Sequence, residues 1–106
     1  MVPEVTWSTM VQWQGQVLLV DARSAAEYSR EHIPGALPLS EAQWEEQLPA
    51  VIKAWRPDAK VVVYCASPSC GTSQAVARRL RRDLDSKEVS VLKGGWRAWL
   101  TQKPGK

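Results

Sequence analysis

The sequence predicts an α/β fold of parallel strands joined by helical crossovers, and three observations carry that prediction. Apolar runs of strand length alternate with segments of helical periodicity. The runs Val17-Leu18-Leu19-Val20 and Val61-Val62-Val63 do not alternate with polar residues, as expected of strands covered on both faces. Hydroxyl residues and Gly or Pro stand at the boundaries between segments, where caps and turns belong. A length of 106 residues suits one core, so residues 1–106 are read as a single domain.

The elements follow in order. An extended start around Val5 leads to Ser8, a candidate N-cap for a brief helix through Trp13 that Gly15 breaks. Val17–Val20 is the next strand. Ser24 with Glu27 makes a capping box for the helix after it, which ends at the Pro34-Gly35 turn. Ala36–Leu39 reads as an edge strand because Pro38 has no amide to give a central ladder. Ser40 is placed as the cap of a helix carrying Trp44, Leu48, Val51, Ile52 and Trp55, with Pro49 expected to end or kink it. Lys60–Tyr64 is the strongest strand and runs directly into Cys65. A loop from Ala66 to Gly71 precedes a helix from about Thr72 to Asp85, with Ala75, Val76, Leu80 and Leu84 as its apolar stripe. Val89–Leu92 is the last strand, Gly94-Gly95 a turn, and Trp96–Leu100 a closing helix, with a polar tail after Thr101.

Composition excludes several function classes. Apolar residues at 44% and charged residues at 24% are ordinary for a soluble globular chain. No run approaches the roughly 20 apolar residues of a membrane span, and the N-terminus lacks the order of a signal peptide, so a cytoplasmic location without membrane contact is expected. The short N-terminal segment is compatible with excision from a larger chain. Arg78, Arg79, Arg81 and Arg82 read as a solvated helix face, because nucleic-acid binding would want a broader basic surface and a reading motif. Cys65, Cys70 and the lone His32 do not make a zinc set, so neither metal nor cofactor is expected. Nothing demands more than a monomer.

The chemistry is expected at Cys65. Ligands of open parallel sheets bind beyond the carboxyl ends of the strands, and Cys65 ends one. The loop Ala66, Ser67, Pro68, Ser69, Cys70, Gly71, Thr72, Ser73 consists of small residues that can turn amides toward one point, and a helix N-terminus follows. Both effects favour thiolate over thiol, whose ordinary pKa is about 8.5. The bland reading is an inert buried cysteine at a strand end.

Val20-Asp21-Ala22-Arg23, Glu27-Tyr28, His32-Ile33-Pro34-Gly35-Ala36, Val63-Tyr64-Cys65 and Leu92-Lys93-Gly94-Gly95-Trp96-Arg97-Ala98-Trp99 resemble, in order and spacing, the rhodanese homology domain. The resemblance implies a three-layer fold, a five-stranded, mainly parallel sheet flanked by helices, with Cys65 as the catalytic cysteine opening the active-site loop. It implies a sulfurtransferase that takes sulfane sulfur from a donor as a Cys65 persulfide and gives it to a thiol or other nucleophilic acceptor. It places Asp21 and Arg23 at the strand end beside the loop, in a supporting role in which the carboxylate pairs with an arginine or accepts from backbone amides and so holds the loop. His32 is placed in a turn near the domain edge, with general-base work unneeded once a thiolate exists. Trp96 is read as a supporting aromatic or a wall of the cleft.

One departure limits the implied activity. Many rhodanese loops end in arginine or lysine, which recognises an anionic donor, whereas this longer loop has Thr72 where the cation would be and no Arg or Lys between Cys65 and Arg78. Weak thiosulfate activity is therefore expected, and a phosphatase, which needs a phosphate-gripping arginine, is disfavoured. Cys70 is a possible resolving thiol, able to form a disulfide with Cys65 if the loop folds back. Two alternatives thus stand beside sulfur transfer: a thiol redox unit using Cys65 and Cys70, and a non-catalytic rhodanese-like binding or regulatory module.

Overall fold

The computed structural model describes residues 2–13, 16–66 and 71–102. The expectations that fell on Gly15, on Ser67, Pro68, Ser69 and Cys70, and on the tail beyond Gln102 lie outside the described residues. Along the chain run β1 (Glu4–Val5), α1 (Trp7–Val11), β2 (Val17–Asp21), α2 (Ala25–Arg30), β3 (Leu37–Pro38), a 3₁₀ turn (Glu41–Gln43), α3 (Trp44–Ala54), β4 (Lys60–Tyr64), α4 (Thr72–Leu84), β5 (Val89–Leu92) and α5 (Gly95–Gln102). The strands form one sheet in the order β1-β5-β4-β2-β3, and every pairing is parallel. The expected α/β fold with a five-stranded sheet is the one found.

Strand alternation sorts β4 between two cores. Val61, Val63 and Cys65 face one side, where Trp44 and Val51 of α3 and Val76, Ala77, Leu80 and Leu84 of α4 cover them. Val62 and Tyr64 face the other, among Met10, Ile33, Leu92 and the indoles of Trp7, Trp96 and Trp99 from α1 and α5. Val61, Val62, Val63 and Tyr64 are completely buried. Val61, Val62 and Val63, with no polar side-chain atoms to satisfy, fill both faces of this strand, which is why the sequence shows a continuous apolar run there.

Several boundaries differ from expectation. Thr6, not Ser8, caps α1: its backbone is extended and its Oγ1 accepts from the Thr9 amide at 3.2 Å. Ser24 does cap α2 with the reciprocal Glu27 bond of a capping box. Ser40 makes no side-chain cap; its amide instead donates to Gln47 Oε1 at 2.8 Å, and a 3₁₀ turn leads into α3. Pro49 neither ends nor divides α3, which continues to Ala54. Trp44 and the fully buried Val51 hold that helix from its inner side, while Pro49 is exposed, so the carbonyl it leaves unbonded has access to water. β2 extends one residue further, to Asp21, β3 is shorter than predicted, and α5 begins at Gly95 and runs to Gln102. α4 stops at Leu84, with Asp85 closing it in the left-handed region at φ 50°.

The arginines of α4 divide their work. Arg79 lies 4.3 Å over the Trp44 ring, Arg81 donates to the Val89 and Lys87 carbonyls, and Arg82 pairs with Asp83.

Candidate active site

The register of β2 against β4 builds the site. Asp21 pairs with Tyr64, both on the α1/α5 side of the sheet, and one residue on, Ala22 and Cys65 return to the α3/α4 side. The Ala22 amide donates to the Tyr64 carbonyl at 2.8 Å, which carries the ladder past the last formal pair. Cys65 is 2% exposed and its Sγ lies 3.5 Å from Ser73 Oγ in the first turn of α4. As a thiol Cys65 donates to that hydroxyl; as a thiolate it would accept from it. The first-turn amides of α4 have no intrahelical acceptors, so the positive end of the helix stands at the same place.

Two glycines fix Cys65 from behind. Gly94 and Gly95 both have positive φ, 87° and 53°, a conformation that side-chain-bearing residues resist. The turn they make aims the Trp96 amide at the Cys65 carbonyl, to which it donates at 2.8 Å. On the α4 side, Gln74 holds both backbone groups of Val2, accepting from its amide at 3.1 Å and donating to its carbonyl at 2.9 Å.

Behind this lies a buried charged network. Asp21 is fully buried and accepts from the Arg23 amide at 2.8 Å, from Arg23 Nε and Nη2, and from the Tyr64 hydroxyl at 2.7 Å. Tyr64 Oη in turn accepts from the Ile33 amide at 3.1 Å. The guanidinium of Arg23 also donates to the Glu31 carbonyl and lies 4.2 Å over the Trp96 ring. Burial works against the charge of Arg23 but is outweighed by the hydrogen bond and charge of Asp21, so its pKa is raised. Burial pushes the Tyr64 phenol far above its ordinary value, and the bond to Asp21 and its charge add to this.

That shift has a pH consequence. A phenol whose folded pKa exceeds its unfolded value of about 10 contributes stability that is intact below pH 10 and is lost as pH rises toward the folded value. Urea midpoints should therefore be level from neutrality to about pH 9.5 and fall above it, by up to ~1.4 kcal/mol per pH unit from this group. Tyr28, whose pKa is also raised, first by burial and then by Asp21, adds to the fall. Tyr64→Phe should be less stable at pH 7 by roughly 1–3 kcal/mol, since it leaves the Ile33 amide without its acceptor and Asp21 one donor short, and its alkaline decline should be shallower than that of the wild type.

A cleft of about 420 Å³ opens over Cys65, lined by Ala22, Arg23, Ser24, Glu27, Ser40, Glu41, Ala42, Ala66 and Thr72. The structure thus brings Cys65, Arg23, Ala66, Thr72 and Ser73 together, with Asp21 supporting Arg23 from beneath. Trp96 is not among the lining residues: it covers Arg23 in a neighbouring hollow with Arg30 and Glu31. His32 stands away from the cleft, stacked on Tyr28 at 3.8 Å with Nδ1 donating to the Tyr28 carbonyl at 2.8 Å. Sequence reasoning missed the role of Tyr64 and the place of Glu27 and Glu41 on the rim. A tyrosine closing an apolar strand was a usable signal, because a buried phenol needs a polar partner. Among the described residues no three His, Cys, Asp or Glu side chains gather as a metal set, and no helix is long and apolar enough to cross a membrane.

Comparisons with known proteins agree with this architecture. The family model "Rhodanese-like domain" matches residues 6–102. The thiosulfate sulfurtransferase GlpE of Coxiella burnetii is 34% identical over 88 residues, covering 83% of this chain and 76% of that protein. The HTH-type transcriptional regulator Rv0324 of Mycobacterium tuberculosis is 34% identical over 85 residues, and the match spans 80% of this chain but only 35% of the regulator. Among solved structures, the human single-domain sulfurtransferase TSTD1 superposes with a TM-score of 0.73 at 26% identity, covering 98% of this chain and 100% of that one. By sequence, strand order and fold, this chain belongs to the rhodanese-like domain family.

Proposed function

We propose that the chain acts as one sulfurtransferase domain, with Cys65 accepting sulfane sulfur as a persulfide and passing it to a nucleophilic acceptor. One observation carries the reading: the Cys65 sulfur sits at the carboxyl end of the central strand, on the floor of a cleft and 3.5 Å from a hydroxyl in the first turn of α4. A hydroxyl and a helix N-terminus favour a sulfur anion, and a covalent intermediate divides a difficult transfer into two easier ones. In the loading step the Cys65 thiolate attacks the outer sulfur of the donor; with thiosulfate, the sulfur–sulfur bond breaks and sulfite departs.

Thiosulfate should be a poor donor. No Arg or Lys stands between Cys65 and Arg78, and Arg23, the one cationic side chain among the described residues lining the cleft, is committed to Asp21. Asp21, Arg23 and Trp96 are positioning residues in this reading, and the segment from Ala66 to the first turn of α4, with Thr72 and Ser73, receives the donor. Mass spectrometry after incubation with thiosulfate or polysulfide should find one added sulfur atom on Cys65, removed by cyanide as thiocyanate. A Cys65 that stays unmodified with both donors, while iodoacetamide still alkylates it, would refute transfer.

A further inference from the structure

The charge of the cleft runs against that of the chain. The protein carries a formal +3, but three of the four arginines of α4, Arg78, Arg81 and Arg82, line a separate groove with Asp85 and Lys87. By helix rise, Arg81 and Arg82 are about 12 Å or more along the axis from Ser73, beyond the ~8 Å screening length at physiological salt. At the cleft itself the charged lining residues, among those described, are Arg23, Glu27 and Glu41. Asp21 neutralises Arg23. Residues 67–70 are Ser, Pro, Ser and Cys, so they bring no Lys, Arg, Asp or Glu to the balance. The surroundings deepen the imbalance: Glu45 and Glu46 stand beyond Glu41 with Arg79, and Glu31 beyond Glu27 with Arg30.

We infer that the site is matched to a cationic sulfur acceptor, a thiol carried beside an ammonium or guanidinium, and that Glu27 and Glu41 select against anionic ones. This rests on the persulfide reading above. The acceptor thiolate attacks the outer sulfur of protonated Cys65 persulfide; the bond to Cys65 Sγ breaks and a new sulfur–sulfur bond forms on the acceptor. Cys65 leaves as thiolate, the proton on the transferred sulfur travels with it, and nothing is oxidised or reduced overall. An attacking thiolate must approach an already negative rim, so a positive charge next to it offsets repulsion that a carboxylate would worsen. A small aminothiol and a cysteine flanked by lysines in a polypeptide share this chemistry, and the cleft volume of about 420 Å³ admits either a small molecule or one protruding side chain.

The test begins with persulfide-loaded protein and follows loss of the sulfur in the presence of cysteamine or mercaptoacetate. A second pair of acceptors is a tripeptide with cysteine between two lysines and one with cysteine between two glutamates. Rates are divided by each thiol's thiolate fraction. The cationic-to-anionic ratio should be on the order of tenfold at low salt and fall toward one at about 0.5 M salt. It should also collapse in Glu27→Gln/Glu41→Gln; glutamine at position 27 can still close the capping box. A preference confined to one acceptor pair identifies the source as small molecule or polypeptide. A ratio near one, an anionic preference, or a ratio the double variant leaves unchanged would overturn the inference. Alkylation of Cys65 by iodoacetate relative to iodoacetamide, read by peptide mapping, needs no sulfur transfer. If loading fails but the double variant speeds iodoacetate several-fold relative to iodoacetamide, the persulfide reading falls and the acidic selectivity stands; with no change, both fall.

Discussion

Replacing Cys65 by serine or alanine should abolish sulfur transfer, lowering the rate by ~10³-fold or more toward the uncatalysed background. The oxygen of serine is too weak an acid to be an anion at this position and does not carry sulfane sulfur. Both variants should keep their fold, because the side chain is small and Ser73 offers a serine at position 65 a hydroxyl partner. Cys65→Ala removes only the sulfur from a packed site, at a cost of about 1 kcal/mol. Circular dichroism and urea midpoints close to wild type, together with loss of the added sulfur in the mass spectrum, would assign the chemistry to this atom. Residual transfer above a tenth of the wild-type rate would mean that another group carries the sulfur.

The second large effect is on stability. Asp21→Asn should cost ~3–5 kcal/mol, because it leaves the Arg23 guanidinium buried without its counter-charge and turns an amide toward donors. Against a total of about 5–15 kcal/mol, that is enough to populate unfolded chain at physiological temperature. With a urea slope of ~1.5 kcal/mol/M the midpoint should drop by about 2–3 M. Removing both charges is different: Asp21→Asn/Arg23→Met should recover a substantial part of the loss, since an apolar side chain over Trp96 needs no counter-ion. A single variant within about 0.5 kcal/mol of wild type would show that the network contributes little.

Much of this architecture was legible because the signals were local. Apolar runs marked β2, β4 and β5, and Ser24 with Glu27 marked the start of α2 through a bond between residues three apart. The misplaced boundaries were those that tertiary contacts decide. α3 passes through Pro49 because Trp44 and Val51 are buried against the sheet, and no window around Pro49 carries that information. Asp21 and Arg23 were placed at the strand end by the family resemblance, with an arginine pair and bonds from backbone amides both open for Asp21, and the carboxylate makes both. Tyr64 was not, because its place in the network depends on which residue of β2 faces it, and register is a property of two strands. The same applies to the rim: Glu27 and Glu41 converge on one cleft only once α2 and the 3₁₀ turn are laid beside the end of β4.

The bond from the Trp96 amide to the Cys65 carbonyl has a consequence for how such a domain can be remodelled. It grips Cys65 by its own main chain, from a segment downstream of the sheet, so the carboxyl end of β4 is fastened to the start of α5. Exchanges within residues 67–70 would leave this main-chain tie, which involves none of them, in place.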